Sequence, residues 1–147
     1  MPILLDPQMM RAIIMDHYEN PRNKRNPNDS RYQTMHIDSP NCIDDITVFL
    51  LEENGVISDC AFDGIACTIS TASTDIMTEL VIGKTSKEAL YIIDQYQKMI
   101  HEQQFDDSVL DEAIVFINTH RQAARIKCAT IGWDALEELL HHHHEEK

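Results

Sequence analysis

The sequence predicts a single α+β domain, a three-stranded, mainly antiparallel sheet with helices packed on one face. Three observations carry this. Strand-forming segments are confined to residues 32–64, where two apolar, β-branched runs flank Asn54-Gly55, a hairpin turn pair. From residue 67 onward, apolar residues recur at helical intervals. No internal repeat or linker divides the 147 residues, a length that supports one buried core. The domain is expected over residues 1–140, with residues 141–147 a histidine-rich tail or tag remnant.

Each element has a local cause. In "LDPQMMRAIIMDHYENPRN", Asp6 supplies an N-cap and Pro7 suits the first helical turn. Met10, Ile13, Ile14 and His17 or Tyr18 then follow helical spacing until Asn20-Pro21 stops the helix. Residues 21–31, "PRNKRNPNDSR", are polar and turn-rich, so they form a loop that holds much of the positive charge. "YQTMHID" reads as a first strand, and "ITVFLLEENGVISDCAFDG" as the hairpin. "CTISTASTDIMTELVIG" opens on small and hydroxyl residues and makes a helix ending at Gly83. "SKEALYIIDQYQKMIHE" makes a second, with Ser86 as cap and Ala89, Leu90, Ile93 and Tyr96 on one side. "DDSVLDEAIVFINTH" reads as a shorter helix, and "RIKCATIGWDALEELL" as the last, with Cys128 in its first turns.

Charge narrows the function. Twelve Lys and Arg against 25 Asp and Glu give a net charge of −13. Such a surface repels phosphate backbones, so no nucleic-acid partner is expected, whereas a basic protein surface suits it. No stretch approaches the roughly 20 apolar residues of a membrane span, and no basic segment precedes an apolar run at the start. No membrane association and a cytoplasmic location are expected.

The cysteines are Cys42, Cys60, Cys67 and Cys128. In a reducing compartment they stay thiols or serve metal or sulfur chemistry. Cys60 alternates with Val56, Ser58 and Phe62 on one strand face, a core-filling position. Cys67 stands at a helix N-terminus, where free N–H groups and the helix dipole favour the thiolate; a small buried residue is the alternative reading. Cys128 has Arg125 and Lys127 nearby, and it too reads equally as a buried helix residue. Cys42 and Asp44 share the loop "SPNCIDDI" that feeds the hairpin. Together Cys42, Asp44, Cys67 and Cys128 offer the four ligands of a tetrahedral zinc site. Nothing competes with this set: there is no phosphate-binding Gly-rich loop, no His-Glu-x-x-His and no nucleophile elbow. His17 and His36 read as packed or surface histidines, and Asp106-Asp107 and Asp111-Glu112 as helix-start carboxylates. The four histidines 141–144 read as an adventitious metal binder.

Several ordered segments resemble the SufU/IscU-type iron–sulfur cluster assembly proteins, which share the NifU N-terminal-like fold. They are "DHYENPRN", "PNCIDDITV", "FDGIACTISTAST" and "ARIKCATIGWDAL", spread from about Met9 to Leu139. Lys127 precedes Cys128 where IscU-type scaffolds carry histidine, which makes the SufU branch the nearer one. Ile43 and Ala66 replace family glycines, and Asn118-Thr119 and Gln122-Ala123 replace Gly-Val and Phe-Pro pairs. The resemblance implies a SufE/NifU-like fold with zinc on Cys42, Asp44, Cys67 and Cys128, or iron or an iron–sulfur cluster at the same ligands. It implies that Cys42 accepts sulfur from a PLP-dependent cysteine desulfurase of the SufS type, with Arg125 in support and downstream Suf scaffold proteins as further partners. The alternatives are a scaffold on which a cluster is assembled and a structural zinc-binding regulatory module.

Overall fold

The structure, a computed structural model, describes residues 6–38 and 43–145, with side chains as far as His141. In chain order the elements are α1 (Pro7–Glu19), β1 (Gln33–Asp38), β2 (Asp45–Glu53), β3 (Val56–Ile65), α2 (Thr68–Val81) and α3 (Ser86–Ile100). Three short 3₁₀ turns follow, at Asp107–Val109, Asp111–Phe116 and Thr119–Arg121, before α4 (Ala123–Glu145) closes the chain. The strands lie in the order β1-β2-β3, all antiparallel, so the expected α+β architecture is borne out. α4 has no break at residue 140 and its backbone runs on to Glu145.

The hairpin forms where the sequence places it. Asn54 and Gly55 both take positive φ, 55° and 80°, the pair of conformations a two-residue turn needs to match strand twist. One face of the sheet carries Ile46, Val48 and Leu50 from β2 with Ile57, Cys60 and Phe62 from β3, all buried. Keeping Ile57 on that face requires a bulge: the pairing shifts between Leu51 and Glu52, leaving Ser58 as an extra residue on β3. Cys60 is therefore a core residue as expected, but it does not share its face with Val56 and Ser58, both of which are exposed. The outer edge of β3 is also engaged. Arg25 and Asn23 exchange backbone hydrogen bonds with Phe62, while Ile57 pairs with Lys84 and Gly83.

α2 and α4 cover the core face, crossing so closely that a Cβ on Gly132 would fall 2.4 Å from Thr74 Oγ1. Trp133 of α4 stacks on Tyr96 of α3, with ring centroids 3.7 Å apart and planes within 5°. Its indole N–H donates to Ser73 Oγ at 2.8 Å, and the Ser73 and Tyr96 hydroxyls both donate to the Ala129 carbonyl. Three helices are thereby tied at one buried point.

Two expectations about helices are corrected. The cap of α3 is Thr85, not Ser86: Thr85 Oγ1 accepts from the Glu88 N–H, and Glu88 accepts from the Thr85 N–H, a full capping box. Residues 106–120 do not form one short α-helix but two 3₁₀ turns and the start of a third. Leu110, Ala113, Ile114, Val115 and Phe116 are all buried, a nearly continuous run rather than one helical stripe, and Asp111 at φ 44° breaks the regular path.

Candidate metal centre

The hairpin builds most of the centre. Pairing of Asp45 with Ile65 sets the open ends of β2 and β3 side by side, so Asp44, just before β2, meets Cys67, just after β3. The Cys67 N–H donates to Asp44 Oδ1 at 2.8 Å. Cys67 is itself the N-cap of α2, its Sγ accepting from the Ser70 N–H at 3.4 Å. Cys128 arrives on α4 because α4 packs against α2. The ligand atoms of Asp44, Cys67 and Cys128 all lie within 4.8 Å of one another. Asp44 and Cys128 are buried and Cys67 is half-buried.

Electrostatics make this group a poor host for its own negative charge. Burial first, then the neighbouring Cys67 and Asp44, pushes the Cys128 thiol up to about 12. A divalent cation at the centre removes that penalty, because metal-bound thiols are deprotonated. Two thiols and a carboxylate gathered within 4.8 Å form a donor set that fits zinc, and Asp44, Cys67 and Cys128 would hold it.

Of the residues singled out from sequence, Asp44, Cys67 and Cys128 are brought together, while Cys42 lies outside the described residues. Ile43 and Ile65 are exposed, 66% and 72%, beside the centre. Arg125 is exposed one turn before Cys128 on α4. Cys60 stands apart in the core, where burial pushes its thiol far above the ordinary value and makes it inert. Ser70 was not picked out from the sequence, although it is wholly buried and its hydroxyl donates to Asp44 Oδ2. The legible signal for it is the spacing Cys67-x-x-Ser70 at a helix start. A groove of about 940 Å³ lined by residues including Leu80, Lys84, Tyr91 and Ile114 shares no residue with the centre.

A second cluster has a different nature. His17, Asp75 and Glu79 lie within ligand distance of one another, yet both ring nitrogens of His17 face carboxylates: Nδ1 is 2.6 Å from Asp75 and Nε2 is 2.9 Å from Glu112. The other Asp75 oxygen accepts the backbone N–H groups of Arg22 and Asn23. The cluster is thus a fastener joining α1, the loop after it, α2 and the 3₁₀ segment. Burial of His17 acts to lower its pKa, and Arg22 opposes the proton weakly, but the Asp75 and Glu112 carboxylates outweigh both and raise it. Glu79, 3.9 Å from Nδ1, adds a third negative group.

A raised folded-state value means that the stabilisation is complete below the unfolded histidine value of about 6.5 and is lost as pH rises through the folded value. His17→Gln should therefore cost about 2 kcal/mol at mildly acid pH. The gap between wild type and variant in urea unfolding should narrow as the pH is made alkaline. A gap that widens would contradict the doubly donating imidazolium.

Comparison with known proteins places these features. Residues 9–147 match the family described as NifU-like N-terminal domain. The "Zinc-dependent sulfurtransferase SufU" of Bacillus subtilis (strain 168) is 38% identical over 130 residues, covering 88% of this chain and 87% of that protein. The "Iron-sulfur cluster assembly scaffold protein IscU" of Streptococcus pyogenes serotype M1 is 34% identical, covering 88% and 80%. Among solved structures, a candidate iron–sulfur cluster assembly scaffold protein for the SUF system from Fervidobacterium islandicum AW-1 superposes with a TM-score of 0.79. It is 32% identical, with 87% of this chain and 93% of that chain covered. A NifU-like N-terminal structure from Brucella abortus, 21% identical over 92% and 94% of the two chains, shares the fold with a TM-score of 0.82. Among the described residues, no helix is long and apolar enough to cross a membrane.

Proposed function

This chain belongs to the NifU-like N-terminal domain family, and from that premise we propose that it is a zinc-dependent sulfur acceptor in iron–sulfur cluster assembly, loaded by a PLP-dependent cysteine desulfurase of the SufS type. The zinc ligands in this reading are Cys42, Asp44, Cys67 and Cys128. The observation that carries it is the convergence of Asp44, Cys67 and Cys128, drawn from three separate parts of the chain. Two further points support it: the Bacillus subtilis relative is a zinc-dependent sulfurtransferase, and the resemblance sets Lys127 where it implies histidine for IscU-type scaffolds.

Bound zinc supplies positive charge that holds the thiols as thiolates. The rest falls to the chain's own groups. The Cys42 thiolate attacks the outer sulfur of the desulfurase persulfide. A new S–S bond forms at Cys42 as the persulfide S–S bond breaks, and the desulfurase cysteine leaves as a thiolate with the electron pair. Asp44 stays fixed on the Cys67 N–H during the exchange. Exposed Ile43 and Ile65 give the incoming partner apolar ground beside the metal centre, and Arg125 adds a positive charge that favours the anionic persulfide. Downstream Suf scaffold proteins then receive the sulfur, in the cytoplasm.

Metal analysis combined with desulfurase turnover tests the reading. The expected result is one zinc per chain, faster turnover with the wild type, and loss of that stimulation in Cys42→Ser with the fold retained by circular dichroism. A wild type that neither gains sulfur nor speeds turnover defeats the transfer role even if zinc is present. Similarity to IscU of Streptococcus pyogenes favours a second reading, a scaffold on which a cluster is built. Anaerobic incubation with iron and sulfide separates the two: visible charge-transfer absorption marks the scaffold, and colourless zinc protein marks transfer.

A further inference from the structure

We infer that Ser70 is a positioning residue of the metal centre, fixing Asp44 and Cys67 in the arrangement that receives the ion; this rests on the zinc reading above. Ser70 is 0% exposed and lies in the first turn of α2. Its hydroxyl donates to Asp44 Oδ2, and its backbone N–H donates to Cys67 Sγ at 3.4 Å. The same hydroxyl oxygen is 3.4 Å from that sulfur. With the Cys67 N–H on Oδ1, each oxygen of the Asp44 carboxylate has its own donor, so the plane of the carboxylate is set before any ion arrives.

Helix chemistry alone does not account for this use of the hydroxyl. A serine or threonine in a helix can bond the carbonyl three or four residues back. Thr130 does so, reaching the Ile126 carbonyl at 3.0 Å, and Thr71 reaches the Ala66 carbonyl at 3.4 Å. Ser70 instead reaches a carboxylate 26 residues away, and the capping role at this helix end already belongs to Cys67. Without the hydroxyl, Asp44 keeps the Cys67 N–H on Oδ1 and the long 3.9 Å contact from Cys67 Sγ on Oδ2. It loses its short, buried bond from Ser70, so the carboxylate is held less tightly before the ion binds.

Partners of metal ligands typically contribute 10- to 100-fold in metal affinity. Zinc affinity of the full chain, read by competition with a chromophoric chelator, should fall about 10- to 100-fold in Ser70→Ala. Ser70→Thr, which keeps a hydroxyl, should recover most of the loss. In an Asp44→Ala background, adding Ser70→Ala should change affinity by no more than about threefold, because the group it positions is gone. Cobalt(II) loading gives an independent readout: the ligand-field bands of Ser70→Ala should shift while those of Ser70→Thr stay close to wild type. Wild-type zinc affinity in Ser70→Ala, or an undiminished effect in the Asp44→Ala background, overturns the inference and leaves the zinc reading standing. Wild-type protein that binds no zinc overturns both.

Discussion

Chelating zinc from the loaded protein should lower its melting temperature by roughly 10 °C and leave the fold in place. Mass action sets the scale: metal at a free concentration of 1,000 times its Kd stabilises the native state by about 4 kcal/mol. For a chain of this length each kcal/mol moves the midpoint by about 2–4 °C. The on-the-order-of-10 kcal/mol effects of zinc fingers arise where no fold exists without metal. Here the buried cluster running from Ile46 and Val48 through Phe62, Ile76 and Tyr96 to Trp133 and Leu136 does not include Asp44, Cys67 or Cys128. Metal therefore adds to a core that stands without it. Calorimetry at several free zinc concentrations checks this. A midpoint indifferent to chelation removes zinc from the account, and complete loss of secondary structure removes the independent core.

Trp133→Ala should cost about 3–5 kcal/mol, the range for truncating a large buried aromatic. The ring is fully buried, so the substitution opens a cavity where α2, α3 and α4 meet. It also abolishes the stack on Tyr96 and the hydrogen bond to Ser73. Trp133→Phe keeps a ring and loses only the N–H donor and some volume, so its cost should be nearer 1 kcal/mol. Urea unfolding followed by circular dichroism reads both, since the chain has a single tryptophan and fluorescence disappears with it. Costs below about 1 kcal/mol for the alanine variant would mean that the three helices are not joined at this point.

Much of the fold was legible because its signals are local. Asn54-Gly55 sets a turn by backbone preference alone, and Asp6-Pro7 and Asn20-Pro21 bound α1 in the same way. The position of Cys67 at a helix start was equally readable, since it follows from where the strand pattern ends. Features decided by tertiary partners were not. The bulge at Ser58 depends on which residues β2 offers opposite it, and alternation along β3 alone puts Cys60 on a face with the wrong neighbours. In the segment after α3, the middle 3₁₀ turn buries Ala113, Ile114, Val115 and Phe116 in succession, a run that helical periodicity misreads as one stripe of a short helix. Thr85 outcompetes Ser86 as a cap because only Thr85 stands three residues before Glu88. Ser70 escaped notice because a serine near a helix start is unremarkable until Asp44 is seen against it.

The His17–Asp75 fastener has an evolutionary corollary. The stretch "DHYENPRN" is among the most recognisable in the chain, yet its histidine, and the backbone of Arg22 and Asn23, answer to Asp75 rather than to any sulfur. This one family-like segment serves as a fastener, whereas the other three hold Cys42, Asp44, Cys67 and Cys128. A descendant stripped of every thiol would still carry the pedigree mark, so kinship by that signature is no warrant that a relative still handles sulfur.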